Sequence, residues 1–119
     1  MGTIIVGAGG HGKVVLDILR AQGRYTPVGF IDADPNLVGT QVGGLPVLGA
    51  INMLPKLRQQ KIKYAIVAIG NGKSRISYGN ALRENGYELI AAIHPSSVIS
   101  PSAKIGVNTV VAAGAIVST

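Results

Sequence analysis

The sequence predicts an α/β fold in two parts: a small parallel sheet with helices on both faces, then the first coil of a left-handed parallel β-helix. Three observations predict it. Short β-branched runs alternate with segments of helical spacing from residue 3 to residue 93. A glycine-rich segment follows the first run directly, as in Rossmann-like domains. Beyond residue 93, apolar residues recur every six positions. We therefore expect a Rossmann-like domain over residues 1–92 and the repeat over residues 93–119.

Each element of the first part has its own signal. Apolar runs between turn residues predict the strands, and apolar residues three or four apart predict the helices. Together these signals predict strands at 3–6, 27–31, 64–69 and 88–93, helices at 13–22 before Gly23 and at 74–83 after a Ser74 cap, a helix containing Ile51, Leu54 and Leu57, and a glycine-rich stretch at 38–49.

The second part rests on spacing alone. Branched residues fall six apart and small residues follow four positions later, in the sets Ile93, Ile99, Ile105, Val111, Val117 and Ser97, Ala103, Thr109, Ala115. Neither a helix nor an ordinary strand has a period of six, whereas a β-helix built of hexapeptides does. Chance alignment in a region rich in Val, Ile and Ala is the alternative.

Composition narrows the class of protein. The chain has 119 residues, a net charge of +6 and no cysteine, so a disulfide framework and thiol chemistry are excluded. One Phe and no Trp leave little for stacking nucleic-acid bases. No apolar run approaches the roughly 18 residues of a membrane span, and the start lacks a signal-peptide pattern. We expect a cytoplasmic protein with neither a membrane nor a nucleic acid as its partner.

The segment from Gly7 to Gly12 fits the G-x-G-x-x-G pattern between a strand and a helix. In that setting glycines allow a tight turn and close approach of a ligand, and helix amides attract phosphate. A merely tight turn is the alternative. The segment also nearly fits a P-loop, but Val14 replaces the magnesium-binding hydroxyl, so an NTPase is not expected.

Polar residues at two further strand ends are candidates for the same site. Asp32 follows the second strand and could accept hydrogen bonds from a ribose, or it could bond its own turn. Asn71, Lys73 and Arg75 follow the 64–69 strand and could reach a base, sugar or phosphate. A helix start with solvated charges explains these three equally well.

The two histidines do not supply obvious catalysis. His11 lies in the glycine-rich loop and could donate to phosphate, or it could pack or cap the helix. His94 precedes Pro95 where the two parts join, and a structural role is expected there. No Ser/His/Asp arrangement and no metal-ligand spacing is present.

Taken together, these motifs resemble the bacterial sugar O- and N-acyltransferases of the PglD/NeuD type. The resemblance rests on the segments Val6–Val14, Gly29–Asp32, Leu45–Gly49, Gly70–Asn71 with Arg75, and Ile93–Pro95 before the hexapeptides. It implies that Gly9, Gly10, His11 and Gly12 hold the phosphates or nucleoside of a UDP- or CMP-sugar. It also implies that Asp32 lies at the nucleoside and that Asn71 and Arg75 line the same cleft.

The resemblance further implies a full-length enzyme that uses acetyl-CoA, forms a homotrimer through its β-helix and contains no metal. The family's catalytic histidine and coenzyme A surface lie on later coils, beyond Thr119, and His94 does not match that position. We therefore expect no catalytic residue in this chain and no acetyltransferase activity from it alone. The kind of sugar, N- against O-acylation, and the oligomeric state of this chain stay open.

Two other function classes remain. An NAD-binding oxidoreductase domain would also place an acidic residue, here Asp32, twenty positions after Gly12. A regulatory or assembly module without a ligand would need the glycine-rich loop to be purely structural. The hexapeptides favour the acyltransferase, because hydride transfer has no use for them.

Overall fold

A computed structural model describes residues 2–117 of the chain, and side-chain surroundings for residues 2–115. One six-stranded sheet runs in the order β3-β4-β2-β1-β5-β6 and is parallel except for the β3–β4 pair. Its elements are β1 (Gly2–Val6), α1 (Gly10–Gln22), β2 (Thr26–Ile31), β3 (Gln41–Val42), β4 (Leu45–Gly49), α2 (Leu54–Gln59), β5 (Tyr64–Val67), α3 (Gly72–Glu84) and β6 (Glu88–Leu89). The predicted α/β fold is confirmed.

Helices cover both faces of the sheet. Successive side chains of β1 point to opposite faces, so neighbouring residues of this strand pack in different clusters. Ile5 packs in a cluster with the apolar face of α1. Ile4 and Val6 pack in a second cluster with Leu54 of α2 and Leu82 of α3. The predicted two-sided coverage is thus confirmed.

Helix α1 begins three residues earlier than its apolar spacing predicts. Gly9 is extended and serves as the N-cap, so the glycine-rich loop itself supplies the first turn. Apolar periodicity could not show this, since glycine has no side chain to bury. The predicted end is correct: Gly23 is left-handed, with φ of 71°, and its N–H donates to the Leu19 carbonyl.

The glycine-rich stretch contains a hairpin that the sequence prediction did not assign. Gly43 and Gly44, with φ of 56° and 84°, form the turn between β3 and β4. Positive φ at both turn positions suits the twist of a two-residue hairpin. Strand β4 then pairs with β2, so this hairpin closes one side of the sheet.

The predicted strand at 88–93 is wrong as one element. Only Glu88–Leu89 pairs with β5, whereas β7 (Ala92–Ile93) pairs with β9 (Val110–Val111). The chain leaves the sheet at Ile90, whose carbonyl accepts the Asn108 N–H at 2.9 Å. A continuous apolar run hides this change of partner, because both partners bury apolar side chains.

The repeat region pairs in the way a coil of hexapeptides would. Strands β7 and β9 are parallel, and β8 (Val98–Ile99) is parallel to β10 (Ile116–Val117). In both pairs the offset equals three hexapeptides. Val111 is buried, and Ile93, Ile99 and Ile105 are half-buried; the side chain of Val117 lies outside the described residues. This pairing supports the predicted β-helix coil, whose identity and left-handedness stay a prediction.

Within residues 2–117, no helix is both long enough and apolar enough to cross a membrane.

Candidate functional site

The candidate site lies at the topological switch point of the sheet, where the chain connections lead to opposite sides of β1. Strand β1 is central, with β2 on one side and β5 on the other, so the loops after β1 and β5 meet at the carboxyl edge. Open α/β sheets bind ligands at such a point. The two loops touch: the Nε2 atom of His11 lies 3.2 Å from the position that a Cβ on Gly70 would occupy.

Two glycines of the loop after β1 are required by the fold. Gly7 has φ of 112°, and a Cβ there would lie 2.6 Å from the Ala68 carbonyl oxygen. At Gly12 a Cβ would lie 2.0 Å from the Gly7 carbonyl oxygen and 3.2 Å from the Phe30 ring. These glycines let α1 pack directly on β1 and the neighbouring strands. Gly12, predicted as a ligand contact, is buried beneath these groups.

The other two glycines have no such packing reason. Among the described atoms, nothing lies within 4 Å of a Cβ built on Gly9 or Gly10, and both residues are exposed. No described side chain caps α1, so the amides of its first turn are free of a side-chain partner. At an exposed, uncapped helix start made of glycine, an anion can come within hydrogen-bond distance of the backbone amides.

Asp32 ties the loop after β1 to the end of β2. Its Oδ2 accepts the Ala8 N–H at 2.9 Å, and its Oδ1 accepts the Asp34 N–H at 2.9 Å. The structural interpretation of Asp32 is therefore correct as far as these bonds go. Each carboxylate oxygen has a further lone pair, and the residue is only half-buried. The ribose contact stays a prediction.

Asn71 caps α3, a role that the sequence analysis assigned to Ser74. The Asn71 Oδ1 accepts the Ser74 N–H at 3.0 Å, and the helix begins at Gly72. The assignment to Ser74 was wrong because Asn is as good a cap as Ser and lies three residues earlier, at the true boundary. One oxygen of Asn71 is thus engaged within the fold.

A cleft of about 450 Å³, called the main cleft below, opens beside the meeting point of the two loops. It is lined by His11, Val14 and Val15 of α1, by Val67–Gly70, by Arg75, and by Thr109 and Val110 of the repeat. The structure therefore places His11 and Arg75 on the same cleft. Gly9, Gly10, Asp32 and Asn71 do not line this cleft.

A second cleft of about 350 Å³ lies between α3 and the repeat, and Arg75 lines both clefts. Arg83 and Asn80 of α3 face Val107 and Asn108 across it. Neither lining contains an acidic side chain. Both clefts therefore suit anionic rather than cationic ligands.

The repeat residues were missed as part of this region. Thr109 and Val110 line the main cleft, and Asn108 bonds the end of β5. Their spacing in the sequence marks them only as hexapeptide positions. No local signal reveals which side of a coil will dock on which loop.

His94 has the contacts of a turn residue. Its Nδ1 accepts the Ser96 N–H at 3.0 Å and lies 2.8 Å from the Ser96 hydroxyl. That hydroxyl accepts the Gly114 N–H at 2.9 Å, and the His94 carbonyl accepts from Ser97. These bonds support the structural role expected for His94.

No group of three or more His, Cys, Asp or Glu side chains that could hold a metal ion occurs among residues 2–115. The chemistry that the described site offers is that of backbone amides, one imidazole and unpaired guanidinium groups. Groups of this kind are suited to binding and orienting an anion.

Comparison with known proteins gives a consistent family. Residues 3–82 match the family model of the PglD N-terminal domain. The chain is 33% identical over 112 residues to a UDP-N-acetylbacillosamine N-acetyltransferase of Bacillus subtilis (strain 168), covering 92% of this chain and 50% of that protein.

Solved structures agree with this result. A variant of perosamine N-acetyltransferase from Caulobacter crescentus, in complex with CoA and GDP-perosamine, has a TM-score of 0.91 at 42% identity, covering 99% of this chain and 54% of that one. The acetyltransferase domain of PglB from Neisseria gonorrhoeae FA1090, in complex with acetyl coenzyme A, has a TM-score of 0.81 at 36% identity, covering 97% and 54%. The chain thus spans about half the length of these relatives.

Proposed function

Because the chain belongs to the family of PglD N-terminal domains, we propose that its sheet edge binds the nucleotide sugar of an acetyl-CoA-dependent sugar acetyltransferase. The observation that carries this proposal is the open pair Gly9–Gly10 at the uncapped start of α1. The fold gives no reason for glycine at either position, whereas close approach of a diphosphate to backbone amides does.

The strand order suggests how the ligand lies. Asp32 follows β2, the glycine-rich loop follows β1, and Gly70 follows β5, in that order along one edge. With the diphosphate on the loop and the ribose at Asp32, the sugar extends toward β5 and the repeat. His11 and Arg75 in the main cleft would then donate to phosphate or sugar oxygens, with Asn71 at the rim of the same region.

The reaction proposed for the full-length protein is acyl transfer. A general base takes a proton from the sugar amine as the nitrogen attacks the thioester carbonyl of acetyl-CoA; the amide C–N bond forms, the carbon–sulfur bond breaks, and coenzyme A leaves as the thiol with that proton. The names of the relatives favour nitrogen over oxygen as the acceptor. This chain would contribute binding and orientation of the sugar nucleotide, with the base supplied from later coils.

The remaining expectations for the full-length protein belong to the same proposal. The full-length protein would be a homotrimer in the cytoplasm, and it would use acetyl-CoA without a metal. The relatives solved with CoA, or with acetyl coenzyme A, support the coenzyme assignment.

An NAD-binding oxidoreductase domain is the second candidate. The observation that favours it is Asp32 at the end of β2, beside the glycine-rich loop, where dinucleotide-binding domains place an acid on a ribose. It is the weaker candidate, because the relatives compared above are N-acetyltransferases.

Isothermal titration calorimetry with UDP, GDP, CMP and NAD tests the proposal. We expect saturable binding of one nucleotide and at least a tenfold loss in Gly10→Val, about the effect of 1.4 kcal/mol, because a branched side chain would stand where the phosphate lies. Gly72→Val is the matched control for stability. Gly72 is the first residue of α3, as Gly10 is of α1, and a Cβ there also meets nothing within 4 Å.

The result that supports the proposal is loss of binding in a Gly10→Val protein as stable as Gly72→Val. Preference for NAD would favour the oxidoreductase. Unchanged nucleotide affinity in Gly10→Val would mean that the loop does not hold the phosphates.

A further inference from the structure

Asn108 joins the repeat to the end of β5 through its side-chain amide. Its Oδ1 accepts the Val67 N–H at 2.6 Å, and its Nδ2 donates to the Val67 carbonyl at 3.2 Å. Its own N–H donates to the Ile90 carbonyl at 2.9 Å. One residue of the repeat therefore makes three hydrogen bonds to the sheet domain.

These bonds take the place of strand pairing at the end of β5, where β6 no longer pairs with it. Strand β6 pairs with β5 only at Tyr64 and Ala65, and the last bond between them runs from the Ile90 N–H to the Ala65 carbonyl. Val67 is the next residue whose backbone groups face that side, and it is only 3% exposed. Without Asn108, its N–H and C=O would lack a strand partner in a buried place. The Asn108 amide offers one donor and one acceptor, as a strand residue would.

The turn itself does not require asparagine. Asn108 has φ of 57°, and Gly114, six residues later in the repeat, has φ of 73°. Ser96 and Ser102, at the same position of earlier hexapeptides, do not have positive φ, so the turn at Asn108 needs only a residue that tolerates it, which glycine does best. Asparagine in place of glycine is explained by its bonds to Val67 rather than by the turn.

The bonds also fix one wall of the candidate site. Thr109 and Val110 follow Asn108 directly and line the main cleft together with His11 and Arg75. Val67 lines the same cleft and begins the loop that leads to Gly70. A shift of the repeat along β5 would move that wall relative to His11.

We propose that Asn108 is a positioning residue of the nucleotide-sugar site: it holds the repeat in register with β5, so that Thr109 and Val110 form the wall of the sugar subsite. This inference rests on the proposed function and on the ligand direction given there. Asp32, Gly9 and Gly10, proposed to hold the nucleoside and the diphosphate backbone contacts, do not line the cleft that this wall closes.

The test compares the 119-residue chain with Asn108→Gly, which keeps the turn and removes the amide. Calorimetry measures the affinity for UDP and for UDP-N-acetylglucosamine, and for GDP and GDP-mannose, in each protein. The informative quantity is the gain in affinity due to the sugar. We expect that gain to fall by about tenfold in Asn108→Gly, the effect of roughly one net hydrogen bond, while the affinity for the free nucleotide stays within about twofold.

Two controls separate positioning from general loosening. Ser96→Ala removes hydrogen bonds to His94 and Gly114 within the repeat, away from the cleft, and should preserve the gain due to the sugar. Hydrogen exchange at the Val67 amide reports whether the bond to Asn108 is broken. Should Asn108→Gly fail to fold, Asn108→Asp keeps the acceptor for the Val67 N–H and loses the donor, and the same comparison applies.

An unchanged gain with faster exchange at Val67 would overturn the proposal, as would equal losses of affinity for the nucleotide and the nucleotide sugar. If the unsubstituted chain binds nucleotides with no gain from either sugar, only this inference fails. If it binds none of the four ligands, the proposed function fails with it.

Discussion

At Gly12, one added carbon would lie 2.0 Å from the Gly7 carbonyl oxygen, whereas at Gly10 it would meet nothing. Two residues of one motif therefore differ in what they do. Gly7 and Gly12 allow the backbone of α1 to approach β1. Gly9 and Gly10 leave an approach from solvent open, so their explanation lies in the ligand.

This difference predicts opposite effects of alanine at the two positions. Gly12→Ala should lower the free energy of unfolding by about 3 kcal/mol or more, because helix and strand must separate to admit the methyl group. Gly10→Ala should change it by less than about 0.5 kcal/mol. Urea unfolding followed by circular dichroism measures both. Equal effects would show that the contact at Gly12 relaxes at little cost.

The sequence identified these residues as candidates but could not divide them by role. The G-x-G-x-x-G spacing and the position of Asp32 were readable because they depend on order along the chain. That Asp32 bonds the Ala8 N–H, 24 residues away in the chain, depends on β1 and β2 being neighbours. The ligand contacts predicted for Gly9, Gly10, His11, Gly12, Asp32, Asn71 and Arg75 remain predictions.

Among the elements, those with a buried face of regular period were predicted best. Helix α1 ends where Gly23 indicated, and β1 and β2 lie within one residue of their predicted bounds, whereas β5 ends at Val67, two residues before the predicted end. Boundaries set by glycine or asparagine were missed, as at Gly10 and Asn71, because backbone geometry rather than apolar spacing defines them.

Tyr87, in the segment between α3 and β6, allows a test of how the free energy of unfolding depends on pH. The Tyr87 hydroxyl donates to the Leu54 carbonyl of α2 at 2.6 Å in a buried position. Burial raises the pKa of Tyr87 above its ordinary value of 10.0, and the charge of Arg58 opposes this by less. A raised folded-state pKa means that the stabilisation is complete below about pH 10 and is lost as the pH rises through the folded-state value.

Tyr87→Phe should therefore lower the free energy of unfolding by about 1–2 kcal/mol at pH 7, because the Leu54 carbonyl loses its donor. It should also reduce the further loss of stability expected above pH 10. Urea unfolding at pH 7, 9 and 10.5 measures both effects. Tyr25→Phe, at a half-buried tyrosine, is the control and should retain the alkaline loss. An unchanged alkaline loss in Tyr87→Phe would assign that loss to other groups.

For the whole molecule, layer and sheet type followed from the alternation of strands and helices, because a parallel sheet must be covered on both faces. How the repeat docks on the sheet did not follow. The docking depends on Asn108 reaching Val67 and on Ala92, fully buried in the cluster with α1. Such contacts join residues far apart in the chain and have no local signature.

This docking predicts that the repeat stabilises the sheet. A chain shortened after Ala91 should lose about 2 kcal/mol or more of its free energy of unfolding, because Val67 loses both hydrogen-bond partners and α1 loses part of its cover. Urea unfolding of the two chains measures the difference, and the Asn108→Gly chain isolates the hydrogen-bond contribution. Equal midpoints would indicate that the sheet is independent of the repeat. That result would support a domain boundary within one residue of the predicted one.

The order of strands β2, β1 and β5 has one more consequence. Neighbouring strands lie about 4.8 Å apart, so the turn at Asp32 and the loop at Gly70 are separated by a length that the backbone fixes, on the order of 10 Å. In the proposed site, this fixed separation would act on the length of the ligand. It would select a ligand by how far it extends from its ribose, and it would tolerate a change of base at the far end more readily than a change of length. The relatives include one named for a UDP-sugar and one solved with a GDP-sugar.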